Sequence, residues 1–239
     1  MIVLLTDFGL EGPYIGQMEA VLHRFAPSIK VINLFADAPR FRPVAAGHLL
    51  AAYCDNFPAD SVFLCVVDPG VGSDQSLPVF VEADGRWFVG PDNGLFDVVI
   101  ARARQARCYE ILWRPERLSA SFHGRDLYAP VAAQLAVRKR PQHRDLPCDN
   151  RGGEELHELI YFDSYGNAMS GIRASTLAPS ALLVVGEHTL THANTFAEVE
   201  PGAGFWYENS NGLLEIAVNQ GRAVEDLDLN VGDPIRLLT

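Results

Sequence analysis

The stretch Met1-Ile2-Val3-Leu4-Leu5-Thr6-Asp7-Phe8-Gly9, continued through Leu10 to Pro27, decides the fold. Met1 to Leu5 is a short apolar run with no polar alternation, the pattern of a strand buried on both faces. Downstream, Tyr14, Ile15, Met18, Val21, Leu22 and Phe25 recur at helical spacing until Pro27 stops the pattern. Strand followed by helix is one β-α unit, the building block of a parallel sheet. Working outward, Lys30 to Leu34 is predicted as a second strand, Val44 to Tyr53 as an Ala/Leu-rich helix, and Ser61 to Val67, a continuous β-branched and aromatic run ending at Asp68, as a third strand. Val79 to Val81 and Trp87 to Val89 flank Asp84-Gly85, a hairpin turn pair, while Leu95 to Ala103 and Leu127 to Val137 read as helices. The expectation is an α/β N-terminal domain with a mainly parallel sheet, residues 1–145.

From Arg138 to Gly153 the chain turns basic, polar and Pro/Gly-marked, which predicts a linker. Beyond it, short strand-like stretches recur at Glu158 to Phe162, Ala181 to Val185, Gly204 to Tyr207, Leu213 to Val218 and Pro234 to Leu238. With turn residues between them and little helical periodicity, residues 154–239 read as a smaller all-β domain, barrel-like or sandwich-like.

The 239 residues are 48% hydrophobic and 21% charged, enough apolar mass for a real core and too much for a disordered or coiled-coil chain. Thirty acidic against nineteen basic residues give a net charge of −11, which disfavours a phosphate-gripping nucleic-acid partner and tolerates a cationic small ligand. The N-terminal apolar run is stopped by Asp7 and lacks a basic flank, so neither a signal segment nor a membrane span is expected, and a cytoplasmic protein is. Cys54, Cys65, Cys108 and Cys148 show neither close pairs nor metal-ligand spacing, so reduced structural thiols are expected and no metal site.

The polar residues of interest sit at strand ends. Asp7 follows the first strand and Asp68 the third, which puts both carboxylates at the carboxyl edge of an open sheet, where ligands bind. Asp7 reads equally well as a turn residue before Gly9. Asp68-Pro69-Gly70-Val71-Gly72-Ser73 is a tight loop that lets backbone amides approach a ligand, or an ordinary turn. Gly90-Pro91-Asp92-Asn93-Gly94 precedes a helix, and Asp92 or Asn93 is expected to cap it. Phe122-His123-Gly124-Arg125-Asp126 gathers an imidazole, a guanidinium and a carboxylate just before a helix. His123 is the leading proton-handling candidate, since an imidazole changes charge near neutral pH. In the second domain, Asp163-Ser164-Tyr165-Gly166-Asn167 and Asn209-Ser210-Asn211-Gly212 each read as a hairpin loop taken alone. Together they supply the carboxylate, amides and hydroxyl that would hold an amino-acid ammonium and carboxylate.

These six motifs, beginning with Thr6-Asp7-Phe8-Gly9 and kept in this order over nearly the whole chain, resemble the S-adenosyl-L-methionine (SAM) hydroxide adenosyltransferase family of adenosine-forming SAM hydrolases, relatives of the fluorinase and chlorinase. The resemblance implies hydrolysis of SAM to adenosine and methionine by water or hydroxide attacking ribose C5′, with SAM as substrate and no cofactor. It also implies a homotrimer whose active sites lie between the N-terminal domain of one subunit and the C-terminal domain of the next.

On the same resemblance, Asp68 and His123 match two members of a water-activating Asp/Arg/His set. Gln75 stands where relatives carry Arg; a carboxamide donates a hydrogen bond but no charge, and Arg125 is a candidate to compensate. Asp7, beside Phe8, matches the carboxylate that accepts from both ribose hydroxyls. Asp163, Asn167 and Ser210, beside Asn209, match positions that hold methionine. His123 stands where halogenating relatives have Tyr, and so favours hydrolysis over halogenation. Two further readings remain open at this level: a metal-dependent phosphoesterase using Asp7, Asp68, Asp92, Asn93 and His123, and a non-catalytic adenosine or SAM binder.

Overall fold

The computed structural model describes residues 1–148 and 152–238, which fall into two compact units, Met1–Gly153 and Glu154–Thr239. In the first unit β1 (Ile2–Thr6) leads through α1 (Tyr14–Phe25) to β2 (Val31–Phe35), and α2 (Pro43–Tyr53) leads on to β3 (Val62–Val66). Every residue of β1 and β3 is buried, as the apolar runs Ile2–Leu5 and Val62–Val66 require. α1 buries Met18 and Leu22 and leaves Tyr14 and Phe25 exposed. β1 lies between β2 and β3, parallel to both. The two crossovers therefore run in opposite directions and, being right-handed, place α1 and α2 on opposite faces.

The remaining strands change the character of the sheet. β4 (Pro78–Ala83) and β5 (Arg86–Pro91) form the expected hairpin around Asp84 (φ 44°) and Gly85 (φ 83°), both left-handed as a type I′ turn needs. β5 pairs parallel with β3, but β4 continues antiparallel to β6 (Ala106–Ile111), and β6 antiparallel to β7 (His143–Leu146). The order is β2-β1-β3-β5-β4-β6-β7. The sheet is mixed, not mainly parallel, because a two-residue hairpin forces antiparallel pairing and β6 and β7 extend from it. Neither β6 nor β7 carries the strong apolar pattern of a central strand.

β7 lies inside the stretch expected to be a linker, of which residues 149–151 fall outside the described residues. Its pairing with β6 brings the Cα atoms of Cys108 and Cys148 to 5.3 Å, and the two form a disulfide. The expectation of four reduced thiols is thereby corrected: only Cys54 and Cys65 are free, both buried. Forty residues separate the bonded pair, so nothing in local spacing announces it.

α3 (Asp97–Arg102) has no side-chain cap, so neither Asp92 nor Asn93 plays the capping role expected of it. The last helix of the unit begins as a π-helical turn, Gly124–Tyr128, before settling into α4 (Ala129–Ala136), which packs on α1 and β3. Such a turn widens the backbone, and π-turns concentrate at functional sites.

The second unit holds two antiparallel sheets. One orders β12 (Gly204–Glu208), β13 (Leu213–Val218), β9 (Ala168–Arg173) and β8 (Leu156–Phe162); the other orders β11 (His188–Leu190), β10 (Leu182–Val185) and β14 (Ile235–Leu238). The four-residue α5 (Ala223–Asp226) is its one α-helix among the described residues. Trp206, Leu214, Ile216, Leu183 and Ile235 share its core. No helix among the described residues is long and apolar enough to cross a membrane.

Candidate active site

In the first unit the strand order reverses about β1, and ligands of open α/β sheets bind outside the carboxyl ends of the strands at such a switch point. Asp7 directly follows β1 there. It is half-buried, and its Oδ2 accepts the N–H of Phe41 at 3.1 Å. Phe41 itself is held at φ 59°, a strained backbone for an aromatic residue. Burial pushes the Asp7 carboxyl above its usual range, against the pull of the Phe41 N–H and the Arg40 charge. Phe8 forms an aromatic triad with Tyr14 and Phe122, ring centroids 5.4 to 5.9 Å apart. A Cβ at Gly124 would sit 3.3 Å from Phe8 and 3.4 Å from Phe122, so this glycine lets the end of β1 close onto the His123 loop.

Asp68 lies two residues past β3. Its Oδ1 accepts the Gly70 N–H at 3.2 Å, and Ser73 Oγ donates to the Gly70 carbonyl at 2.6 Å, so the loop closes on itself. Gly72, at φ +80°, rests against the chain just before His123: a Cβ there would lie 2.3 Å from the Ala120 carbonyl oxygen. From the other side, Asn93 donates its amide to the Val67 carbonyl at 2.9 Å and steadies the residue preceding Asp68. That is the role of the Gly90 to Gly94 motif in place of helix capping.

Asp68 and His123 line one cavity of about 350 Å³, together with Ser73, Arg114, Leu118 and Tyr128. Burial raises the Asp68 carboxyl; the Gly70 N–H and the positive charge available at His123 oppose that shift, and the Asp7 carboxylate adds to it. Burial also pushes the Tyr128 phenol up, with Asp68 adding to the shift and Arg114 opposing it. A half-buried carboxylate that shares a cavity with an imidazole is equipped to accept a proton from water.

Gln75 and Arg125 do not line this cavity. Gln75 is exposed and lays its Oε1 over Gly70, 3.1 Å from where a Cβ would stand. Arg125 grips Asp126 with Nε at 2.6 Å and Nη2 at 2.9 Å, donates Nη1 to Gln17 at 2.8 Å, and stacks 5.0 Å over the Phe122 ring. Asp126 in turn accepts the Ser119 N–H at 2.9 Å, and Arg125 holds its carboxyl below the usual range. Arg125 and Asp126 therefore clamp the loop that carries His123. Arg114 and Tyr128 were not singled out by the sequence. A cation directly after the Cys108 to Trp113 stretch was the signal for Arg114, whereas Tyr128 reads as ordinary helix core.

In the second unit, Asp163 Oδ1 accepts the N–H groups of Tyr165 and Asn167, each at 2.9 Å, and Oδ2 accepts the Asn167 side-chain amide at 3.1 Å. Asn209 Oδ1 accepts the N–H groups of Asn211 and Leu213 at 2.9 and 3.0 Å, and exposed Ser210 accepts from the Asn211 amide at 3.2 Å. The two loops meet through Glu215, which is outside both loop motifs. Glu215, 3% exposed on β13, accepts from the Tyr207 hydroxyl, from the Asn209 amide at 2.8 Å, and from the Asn167 side chain. Burial raises its carboxyl, those three donors oppose the rise, and the Asp163 charge reinforces it. A charged residue on the fully buried strand Leu213–Val218 was the available signal.

Among the described residues no three His, Cys, Asp or Glu side chains converge on a metal-binding arrangement. Residues 2–144 match the family model of the SAM hydroxide adenosyltransferase N-terminal domain, and residues 157–236 match that of the C-terminal domain. The chain is 36% identical to an (R)-S-adenosyl-L-methionine hydrolase of Thermus thermophilus, covering 99% of both chains. It is 33% identical to a protein of the same name from Salinispora arenicola, covering 97% of this chain and 95% of the other. Among solved structures, an uncharacterised conserved protein from Thermotoga maritima superposes with a TM-score of 0.87 at 30% identity over the whole of both chains.

Proposed function

Because this chain belongs to the SAM hydroxide adenosyltransferase family, we propose that it hydrolyses S-adenosyl-L-methionine to adenosine and L-methionine. The observation that carries the reading to its chemistry is the shared cavity of Asp68 and His123, next to the strand end that bears Asp7.

Water attacks ribose C5′ and the C5′–S bond breaks with its electron pair going to sulfur. The sulfonium thereby leaves as a neutral thioether, so the leaving group needs no acid. The proton lost by the water passes to the Asp68 and His123 pair and on to solvent. The enzyme's task is to position and deprotonate the water. Asp7 accepts from the ribose hydroxyls, a task suited to a carboxylate with one oxygen already oriented by the Phe41 N–H. Phe8 sets the end of β1 against the His123 loop. Asp163, Asn167, Asn209 and Ser210 hold the ammonium and carboxylate of methionine, with Glu215 fixing the two loops from beneath.

The ribose and water-activating groups belong to the first unit and the methionine groups to the second. The reading is of a homotrimer in which the first unit of one subunit faces the second unit of the next. The second unit is read as barrel-like, supported by isolated bridges from Glu158 to Pro234 and from His192 to Trp206 that link the edges of its two sheets. A cytoplasmic setting completes the reading; the Cys108–Cys148 disulfide argues the other way, because cytosolic thiols are mostly kept reduced.

The test is adenosine release from SAM, followed by chromatography. The relatives are named for the (R) form, so both sulfonium epimers are assayed. His123→Ala is expected to lower kcat by roughly 10² to 10⁴, the usual worth of a positioned proton acceptor. Tight SAM binding by wild type with no adenosine formed overturns the enzyme reading.

A further inference from the structure

We infer that Arg114 supplies the positive charge of the water-activating cavity, the role for which Gln75 and Arg125 are the candidates legible in the sequence. The inference rests on the hydrolase reading of the Asp68 and His123 cavity. Arg114 is the one lysine or arginine among the residues lining that cavity, where it shares the walls with Asp68, Asp74, His123 and Tyr128. Its Nη1 donates to the Ile111 carbonyl at 2.5 Å and to the Trp113 carbonyl at 2.9 Å, both in the chain leaving β6. Two backbone acceptors on one nitrogen fix the guanidinium as a preoriented charge, so little rotamer freedom is lost when it acts.

The alternatives are committed elsewhere. Arg125 spends Nε, Nη1 and Nη2 on Asp126 and Gln17, and Gln75 carries no charge and lies outside the cavity wall. The other titratable groups on the cavity wall are two carboxylates, an imidazole and a phenol, with the Asp7 charge also acting on Asp68. A nucleophile that becomes hydroxide-like in such surroundings is opposed by the carboxylates of Asp68 and Asp74. One fixed cation on the wall lowers the energy of that developing charge, and does so more in the transition state than in the Michaelis complex. Arg114 thus raises kcat and leaves SAM affinity to Asp7 and the methionine loops.

The experiment compares wild type, Arg114→Ala, Arg114→Lys and Arg114→Ala/Gln75→Arg, measuring kcat, KM for SAM and the pH profile of kcat. Thermal unfolding of each variant shows that it is folded. Arg114→Ala is expected to lower kcat about ten- to a hundredfold with KM little changed, and to move the rising limb of the profile to higher pH. Arg114→Lys should keep part of the rate and restore the limb. An arginine outreaches a glutamine, so Gln75→Arg in the Ala background should recover about tenfold or more by extending a guanidinium past Gly70, which lines the cavity. An Arg114→Ala enzyme with wild-type kcat and pH profile overturns the inference and leaves the hydrolase reading intact. So does a low kcat that neither Lys nor the Gln75→Arg change improves, since the side chain would then act by packing and not by charge. A wild-type protein that forms no adenosine removes both readings together.

Discussion

Asp7 and Asp68 are both half-buried carboxylates pushed up by desolvation, yet different tasks follow from their surroundings. Asp7 is oriented by a backbone N–H from a strained residue and lies outside the cavity that Asp68 lines. Asp7→Ala should therefore weaken adenosine and SAM together, because both carry the ribose diol. Two charge-assisted hydrogen bonds at roughly 1.5 to 3 kcal/mol each correspond to 10² or more in affinity. Unchanged adenosine affinity in calorimetry would remove Asp7 from the site. Asp68 lines the cavity with His123 and must be ionised to accept a proton. Because burial raises its carboxyl, the rate should fall as pH drops through a value above the ordinary carboxylate range. Linkage has the opposite direction: a carboxyl that binds its proton more tightly folded than unfolded loses stability as pH rises through the folded value. Asp68→Asn should abolish turnover while raising the melting temperature at neutral pH, with the gain vanishing in acid. A variant no more stable than wild type at any pH would contradict this account of the shift.

At the scale of elements, the site is a convergence of loops held by close backbone approach. The Asp68 loop touches the segment before His123 at Gly72, where both the left-handed backbone and the 2.3 Å approach to the Ala120 carbonyl exclude a side chain. Gly72→Ala must separate the two loops. A misplacement of about 1 Å costs about 10² in rate for groups that must act in concert, so kcat should fall by that order. Adenosine affinity should hold, since Asp7 sits on a different strand end. Equal losses of kcat and adenosine affinity would mean that the whole sheet edge had shifted. The π-helical turn after His123 carries Tyr128 into the cavity wall, and the Arg125–Asp126 clamp fixes the imidazole's loop from outside it.

For the molecule as a whole, the Cys108–Cys148 disulfide ties β6 to the chain just past β7, the last strand before the second unit. Closing a loop of 40 residues is worth about 3 to 4 kcal/mol in the chain-entropy account. Cys148→Ser, or reduction of wild type, should lower the melting temperature by several degrees and leave kcat unchanged, because neither sulfur lines the Asp68 cavity. A melting temperature insensitive to reductant would show that the bond adds nothing to stability.

What the sequence determined by itself were features encoded within a few residues of one another. The fully apolar runs of β1 and β3, the 3.6-residue period of α1 ended by Pro27, and the left-handed pair Asp84-Gly85 were legible because they depend on local sterics and on which faces are buried. The polar residues at strand ends were legible for the same reason, since the end of a buried strand is readable in one dimension. Tertiary structure alone decided what depends on the path of the chain between distant residues. The antiparallel half of the sheet, the bond between Cys108 and Cys148, and the buried Glu215 linking two loops belong to that class. So does the exchange of roles among cations. Arg125 stands two residues from His123 yet turns to Asp126 and Gln17, whereas Arg114, nine positions upstream, lines the cavity. Sequence distance fixes how far a side chain stands along the backbone, but its direction is set by the carbonyls and carboxylates that fold around it.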